Sequence, residues 1–320
     1  MKHFLIGVFI LVLIGLAGFY FITGRAPDYT QENPVVTDDT AYPTEETQPP
    51  AAQEANATDT TTTETVAPAE TTRGAESVLG TSAGGNTITA YHYGNGAEEL
   101  LFVGGIHGGY SWNTALVAYE LMDYLDENPA VIPENLTVTV IPVLNPDGLK
   151  KIIGTTHRFA LSDVPTQQEA TIPGRFNDNT VDLNRNFDCD WRREGTWQNR
   201  TVSGGSAAFS EPETAALRDY VAVHEPRAVV AYYSAAGGVF ASNCHDDVLL
   251  ETRTLTNLYA NAAGYTAYEE FDFYEITGDM VNWFAKQGVP AISVLLTTHQ
   301  DVEWSQNQKG IMALLNHYKK

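Results

Sequence analysis

Over most of its length the chain alternates short apolar runs of strand character with amphipathic stretches of helical period. This alternation limits the fold more than any other feature of the sequence. Residues 100–105 (LLFVGG) form a β-run that ends in glycines, and residues 136–144 (LTVTVIPVL) alternate and are rich in β-branched side chains. Residues 227–233 (RAVVAYY) and 291–296 (AISVLL) are unbroken apolar runs of buried-strand length. Between them, residues 113–125 place Leu116, Tyr119, Met122 and Leu125 at helical spacing, and residues 252–263, 278–287 and 310–318 also read as helices. Residues 211–223 form a further helix, whose start at Ser210-Glu-Pro-Glu213 has the form of a capping box with an early proline. Strands that alternate with helices bury a mostly parallel sheet between two helical layers. The expected fold class is α/β: a three-layer sandwich with a mostly parallel mixed sheet flanked by helices, formed by residues 76–320. In such a fold, functional side chains gather where strands end.

Two segments precede this body. Residues 4–22 are an unbroken apolar run of 19 residues behind Lys2 and His3. At roughly 1.5 Å per residue, a helix of this length comes close to the ~30 Å of a bilayer core. A cleavable signal peptide has a shorter apolar stretch and a small-x-small cleavage site. Here Phe19-Tyr20-Phe21-Ile22 passes directly into Thr23-Gly24-Arg25. Residues 1–25 therefore read as an uncleaved signal anchor, a single transmembrane segment with the globular domain extracytoplasmic. Residues 26–75 hold ten acidic side chains against one base, Arg73, and are rich in Thr, Pro and Glu. Such a composition cannot offset chain entropy by burial, so it is expected to form a disordered stalk.

The formal net charge is −22, from 18 Lys+Arg and 40 Asp+Glu. The first 25 residues carry +2 and the stalk −9, which leaves −15 on residues 76–320. This balance argues against nucleic acid as a partner, because phosphate neutralisation needs a basic face. The two cysteines, Cys189 and Cys244, form no C-x-x-C motif, and outside the cell they are expected to pair as one disulfide.

Four local patterns occur in order: Gly104-Gly-Ile-His107-Gly-Gly-Tyr110; Asn145-Pro-Asp-Gly148; Arg175-x-Asn177 followed by Val181-Asp-Leu-Asn-Arg-Asn-Phe187; and Phe209-Ser-Glu-Pro-Glu-Thr214. With Tyr274-Glu-Ile-Thr-Gly-Asp-Met-Val-Asn-Trp283, this set resembles the zinc metallocarboxypeptidase family of the carboxypeptidase A and T type. The resemblance implies a peptidase fold and two groups of site residues. One group clamps a substrate's C-terminal carboxylate. Asn184 and Arg185 match that clamp, Arg175 the oxyanion arginine, Tyr274 the capping tyrosine and Val281 the pocket floor, which suits an apolar last side chain.

The other group binds zinc and activates water, and here it is largely replaced. His107 matches the first ligand. The second ligand, a Glu in the family, falls on Tyr110 or, with one residue inserted, on Ser111. Tyr233 stands in place of the second histidine and Leu295 in place of the general base. One histidine does not make a three-ligand catalytic zinc site, and leucine accepts no proton. His157, His245, Asp246 and His299 remain as candidates for relocated ligands, and Glu269-Glu270-Phe-Asp272 reads as a solvated loop. The expectation is a catalytically inactive homologue, without zinc, that binds the C-terminal carboxylate of peptides or peptidoglycan peptides. The alternatives are a working peptidase with an irregular zinc site and a structural or adhesive ectodomain.

Overall fold

The computed structural model of the protein describes residues 75–320. The signal-anchor and stalk readings fall, save for Ala75, outside the described residues. Among the described residues no helix is long and apolar enough to cross a membrane.

The elements follow one another as β1 (Glu76–Thr81), β2 (Thr87–Gly94), β3 (Glu98–Val103), α1 (Trp112–Glu127), β4 (Leu136–Ile141) and α2 (Pro146–Ile153). After a long irregular stretch come β5 (Glu194–Trp197), β6 (Arg200–Ser203), α3 (Pro212–His224), β7 (Ala228–Ser234) and β8 (Gly238–Ala241). The chain ends with α4 (Leu250–Ala263), β9 (Thr266–Tyr268), α5 (Met280–Lys286), β10 (Ala291–Leu296) and α6 (Trp304–Tyr318). Eight strands form one sheet in the order β1-β2-β4-β3-β7-β10-β8-β9, while β5 and β6 form a separate hairpin. The centre of the sheet, β4-β3-β7-β10, is parallel throughout; β2 and β8 join it antiparallel, β1 pairs antiparallel with β2, and β9 pairs parallel with β8.

Side-chain alternation along the central strands explains the layering. Leu100, Phe102, Val230, Tyr232, Val294 and Leu296 point into a core covered by α1, α4 and α6. Their neighbours Leu101, Val103, Val229, Ala231, Tyr233 and Leu295 point the other way, into a second core covered by α3 and α5. A strand buried on both faces needs apolar residues at every position, which is why these runs are unbroken. The α/β sandwich with a mixed sheet is thus the observed architecture.

Some local expectations fail for physical reasons. The capping box at α3 does not form, because Ser210 Oγ donates to Glu211 Oε1 instead. Glu213 is buried and turns to other donors, accepting from Ala83 N at 3.0 Å and Asn177 Nδ2 at 3.2 Å. Helix α6 starts at Trp304, ahead of the expected residue 310, because Val302 and Trp304 also pack on the first core. Cys189 and Cys244 form a disulfide with Cα atoms 6.0 Å apart.

Candidate functional site

The four parallel strands release their chains at one edge of the sheet, and a cavity of about 220 Å³ opens there. Strand β3 runs into Gly104, Gly105, Ile106 and His107. Gly105 has φ +61°, and a Cβ there would lie 2.9 Å from Pro142 O, so glycine lets this loop rest on the exit of β4. Strands β7 and β10 bring Tyr233 and Leu295 side by side in register. The cavity is lined by these two residues together with His107, Arg175, Asn184, Tyr274 and Val281.

The polar side of the cavity is organised by Asp182. Its Oδ2 accepts from Arg175 Nε at 2.8 Å, its Oδ1 accepts from Asn184 N at 3.1 Å, and His107 Nε2 is 3.7 Å from Oδ1. Burial would raise the pKa of Asp182, but the charges of Arg175 and Arg185 beside it hold the carboxyl below its usual range. The Arg175 guanidinium lies 4.4 Å from the centre of the Trp197 ring and 5.7 Å from that of Tyr110. Its terminal nitrogens make no hydrogen bond among the described residues, so its fork is open to a guest. Asn184 donates through Nδ2 to Asp279 Oδ2 at 2.9 Å and accepts from the Tyr233 hydroxyl and from Met280 N, each at 3.2 Å.

Arg185 stands differently. It is 1% exposed and does not line the cavity. It donates to the main-chain oxygens of Asn184 at 2.7 Å and Thr196 at 2.8 Å, and its Nε has no partner among the described residues. It therefore braces Asn184 and β5 from behind. Tyr274, 36% exposed at the mouth, has its ring centre 6.0 Å from the Arg185 guanidinium.

The zinc carboxypeptidase model matches residues 64–314 of the sequence. The chain belongs to the zinc carboxypeptidase family. A metallocarboxypeptidase A of Trichophyton tonsurans is 31% identical over 131 residues, which cover 38% of this chain and 29% of that protein. The chain thus matches less than a third of the length of that curated relative. Among solved structures, bovine thrombin-activatable fibrinolysis inhibitor in complex with tick carboxypeptidase inhibitor superposes with a TM-score of 0.61 at 14% identity, covering 76% of this chain and 89% of that one. The murein-tripeptide amidase of Escherichia coli O157 superposes with a TM-score of 0.52 at 19% identity, covering 78% and 95%.

The residues at the expected metal position of this zinc carboxypeptidase family member do not suit zinc. His107 is buried, and both ring nitrogens lack a hydrogen-bond partner among the described residues. Burial, followed by the charge of Arg175, pushes its pKa well below the ordinary histidine value, so the imidazole is neutral. The Tyr233 ring lies 5.7 Å from that imidazole, centre to centre, and its hydroxyl is committed to Asn184. Ser111 Oγ is buried without a partner among the described residues, and Tyr110 stacks edge-on against Trp197. Leu295 packs in the second core. Among the described residues no three His, Cys, Asp or Glu side chains converge on a point a cation could occupy.

Of the relocated-ligand candidates, His299 alone lines the cavity. Burial and then Arg175 push its pKa down to about 4, and its Nδ1 is 3.0 Å from Ser234 Oγ. Asn113 accepts from the same hydroxyl and donates to Thr298 O and Asp301 O, which fixes the loop carrying His299. His157 and Asp246 are exposed, and so is His245, which pairs with Asp190. Sequence reasoning gave no role to Asp182 or Asp279. The available signal was chemical: a buried arginine requires a carboxylate, and both acids stand inside motif stretches.

Proposed function

We propose that this protein holds the C-terminal carboxylate of a peptide in the cavity without cleaving the terminal bond. Peptidoglycan peptides are among the candidate guests, and the domain is held outside the cytoplasm by an anchor within residues 1–25. The observation that carries the reading is Arg175, buried at 3% exposure, with its guanidinium fork open toward a cavity that lacks a metal-binding donor set. A guanidinium matches a carboxylate with two parallel N–H donors, and Asn184 in the same wall can add a contact. Leucine at position 295 supplies no base, and loss of a general base alone costs about 10²–10⁴ in rate. The likeness in fold to a murein-tripeptide amidase brings cell-wall peptides into the set.

The test uses the full chain loaded with excess zinc and short fluorescent peptides ending in a free acid or an amide. We expect the free acid to bind, the amide to bind at least ~10-fold more weakly, Arg175→Gln to abolish the difference, and no terminal residue to be released. Equal binding of acid and amide overturns the carboxylate reading. Stoichiometric zinc together with release of the last residue replaces it with a working peptidase. No binding of either peptide leaves a structural or adhesive domain.

A further inference from the structure

Arg175 and His299 both lie against the Tyr110 ring in the wall of the cavity. The guanidinium is 5.7 Å and the imidazole 4.6 Å from the centre of that ring. A guest carboxylate on Arg175 brings the guest's last main-chain groups close to His299. What they meet there depends on which imidazole nitrogen carries the proton.

The surrounding hydrogen bonds decide that. Asn113 is fully buried near the start of α1, and two main-chain oxygens face its side chain, Thr298 O at 2.8 Å and Asp301 O at 3.0 Å. Carbonyl oxygens only accept, so the atom between them is Nδ2, and Oδ1 is an acceptor on the other side. Ser234 Oγ, at the end of β7, is 3.0 Å from that oxygen and 3.0 Å from His299 Nδ1. The serine has one proton and Oδ1 has none to give, so the proton goes to Asn113. Ser234 Oγ then accepts on its other side, and His299 Nδ1 is the nitrogen that donates. Burial and the charge of Arg175 keep the ring neutral, so Nε2 carries a bare lone pair. Nε2 has no hydrogen-bond partner among the described residues, and its ring lines the cavity.

The same chain of bonds excludes a serine nucleophile at this place, because His299 presents a proton to Ser234 and cannot remove one. His107 offers no comparable discrimination. Both of its nitrogens lack a partner among the described residues, so no bond fixes its tautomer. The main-chain donor nearest to a peptide's terminal carboxylate is its last N–H, followed by the next one along the chain.

We propose that His299, locked as an acceptor by Asn113 and Ser234, receives a main-chain N–H from the last two residues of the guest and so selects an intact peptide end. The site then reads two points of the main chain, the carboxylate at Arg175 and an N–H at His299. The inference rests on the carboxylate-binding reading above, and its test keeps the two apart. Binding of the full chain is measured with a peptide and with two analogues in which an ester oxygen replaces the last or the next-to-last N–H. Each is offered as the free acid and with its terminal carboxylate capped as an amide. One of the two ester acids should bind about fivefold or more weakly than the peptide acid.

In His299→Phe, which keeps a ring against Tyr110 but has no acceptor, peptide and ester should bind alike, while the free acid still exceeds its amide. Ser234→Ala removes the oxygen that holds the Nδ1 proton and should cut the ester penalty by about twofold or more. Imidazole nitrogen shifts measured by NMR on the native chain should show a proton on Nδ1 of His299 and none on Nε2. Equal binding of all three acids by the native chain, or a proton on Nε2, overturns this inference and leaves the carboxylate reading in place. So does an ester penalty that persists in His299→Phe. An undiminished penalty in Ser234→Ala also overturns it, even where His299→Phe fails to fold. Failure of every free acid to exceed its amide removes the underlying reading.

Discussion

Asp182 holds together more of the cavity than any residue that faces the guest. It orients Arg175 through Nε, fixes the main chain of Asn184 and lies beside His107, all without exposure to solvent. Asp182→Asn keeps the shape and removes the charge, which leaves buried Arg175 uncompensated. Breaking a buried pair in this way costs about 3–5 kcal/mol, and urea denaturation of the full chain should show a loss of that size. A loss below ~1 kcal/mol, the range of an exposed pair, would mean that the Arg175 charge is balanced elsewhere. Residue identity made His107, Arg175, Asn184 and Leu295 readable from the sequence, because each sits inside a motif. It could not place Arg185 behind the wall. That depends on the carbonyl oxygen of Thr196 in β5, which sequence spacing does not reveal.

The central strands and their helices were legible because burial on both faces leaves an unbroken apolar run. The β1–β2 hairpin was not, since its strands mix polar and apolar residues and its turn is anchored by hydrogen bonds to carboxylates remote in sequence. The turn between them is held by Asp147, which accepts from Gly84 N at 2.8 Å and Asn86 Nδ2 at 2.7 Å, and by Glu213 through Ala83 N. Glu213 carries a pH signature of this arrangement. Burial raises its pKa from 4.5 to about 7. The folded state therefore binds the proton more tightly than the unfolded chain, so this contribution is fully present below about pH 4.5 and is lost as pH rises through about 7. The amount is on the order of 3 kcal/mol. His107 and His299, whose pKa values burial lowers, act with the opposite sign below about pH 6.5. The expected readout is therefore a difference: the midpoint of the native chain minus that of Glu213→Gln should fall across that window. Asp147, where hydrogen bonds outweigh burial and lower the pKa from 3.8, acts at more acid pH. An unchanged pH profile in Glu213→Gln would assign the slope to other groups.

At the scale of the whole molecule, the net charge of −22 and the charge of the site are different quantities. The sum argues against nucleic acid as a partner, and it says nothing of the buried pair of Arg175 and Asp182, whose charges oppose each other. In the binding proposed above, exposed Glu270 at the cavity and the buried pair of Arg175 and Asp182 act on two different rates. The rim and the −15 of residues 76–320 act at long range through solvent, where salt screens them beyond about 10 Å at 0.1 M. The Arg175–Asp182 pair is buried, so salt screens it far less. For a peptide of net positive charge that ends in a free acid, raising salt from ~0.05 to ~0.5 M should slow association by about tenfold and change dissociation by less than about twofold. Stopped-flow traces that show salt accelerating dissociation instead would place the carboxylate contact at the surface and not on buried Arg175. If association alone responds, the protein catches its guest faster in dilute surroundings and holds it equally long in either.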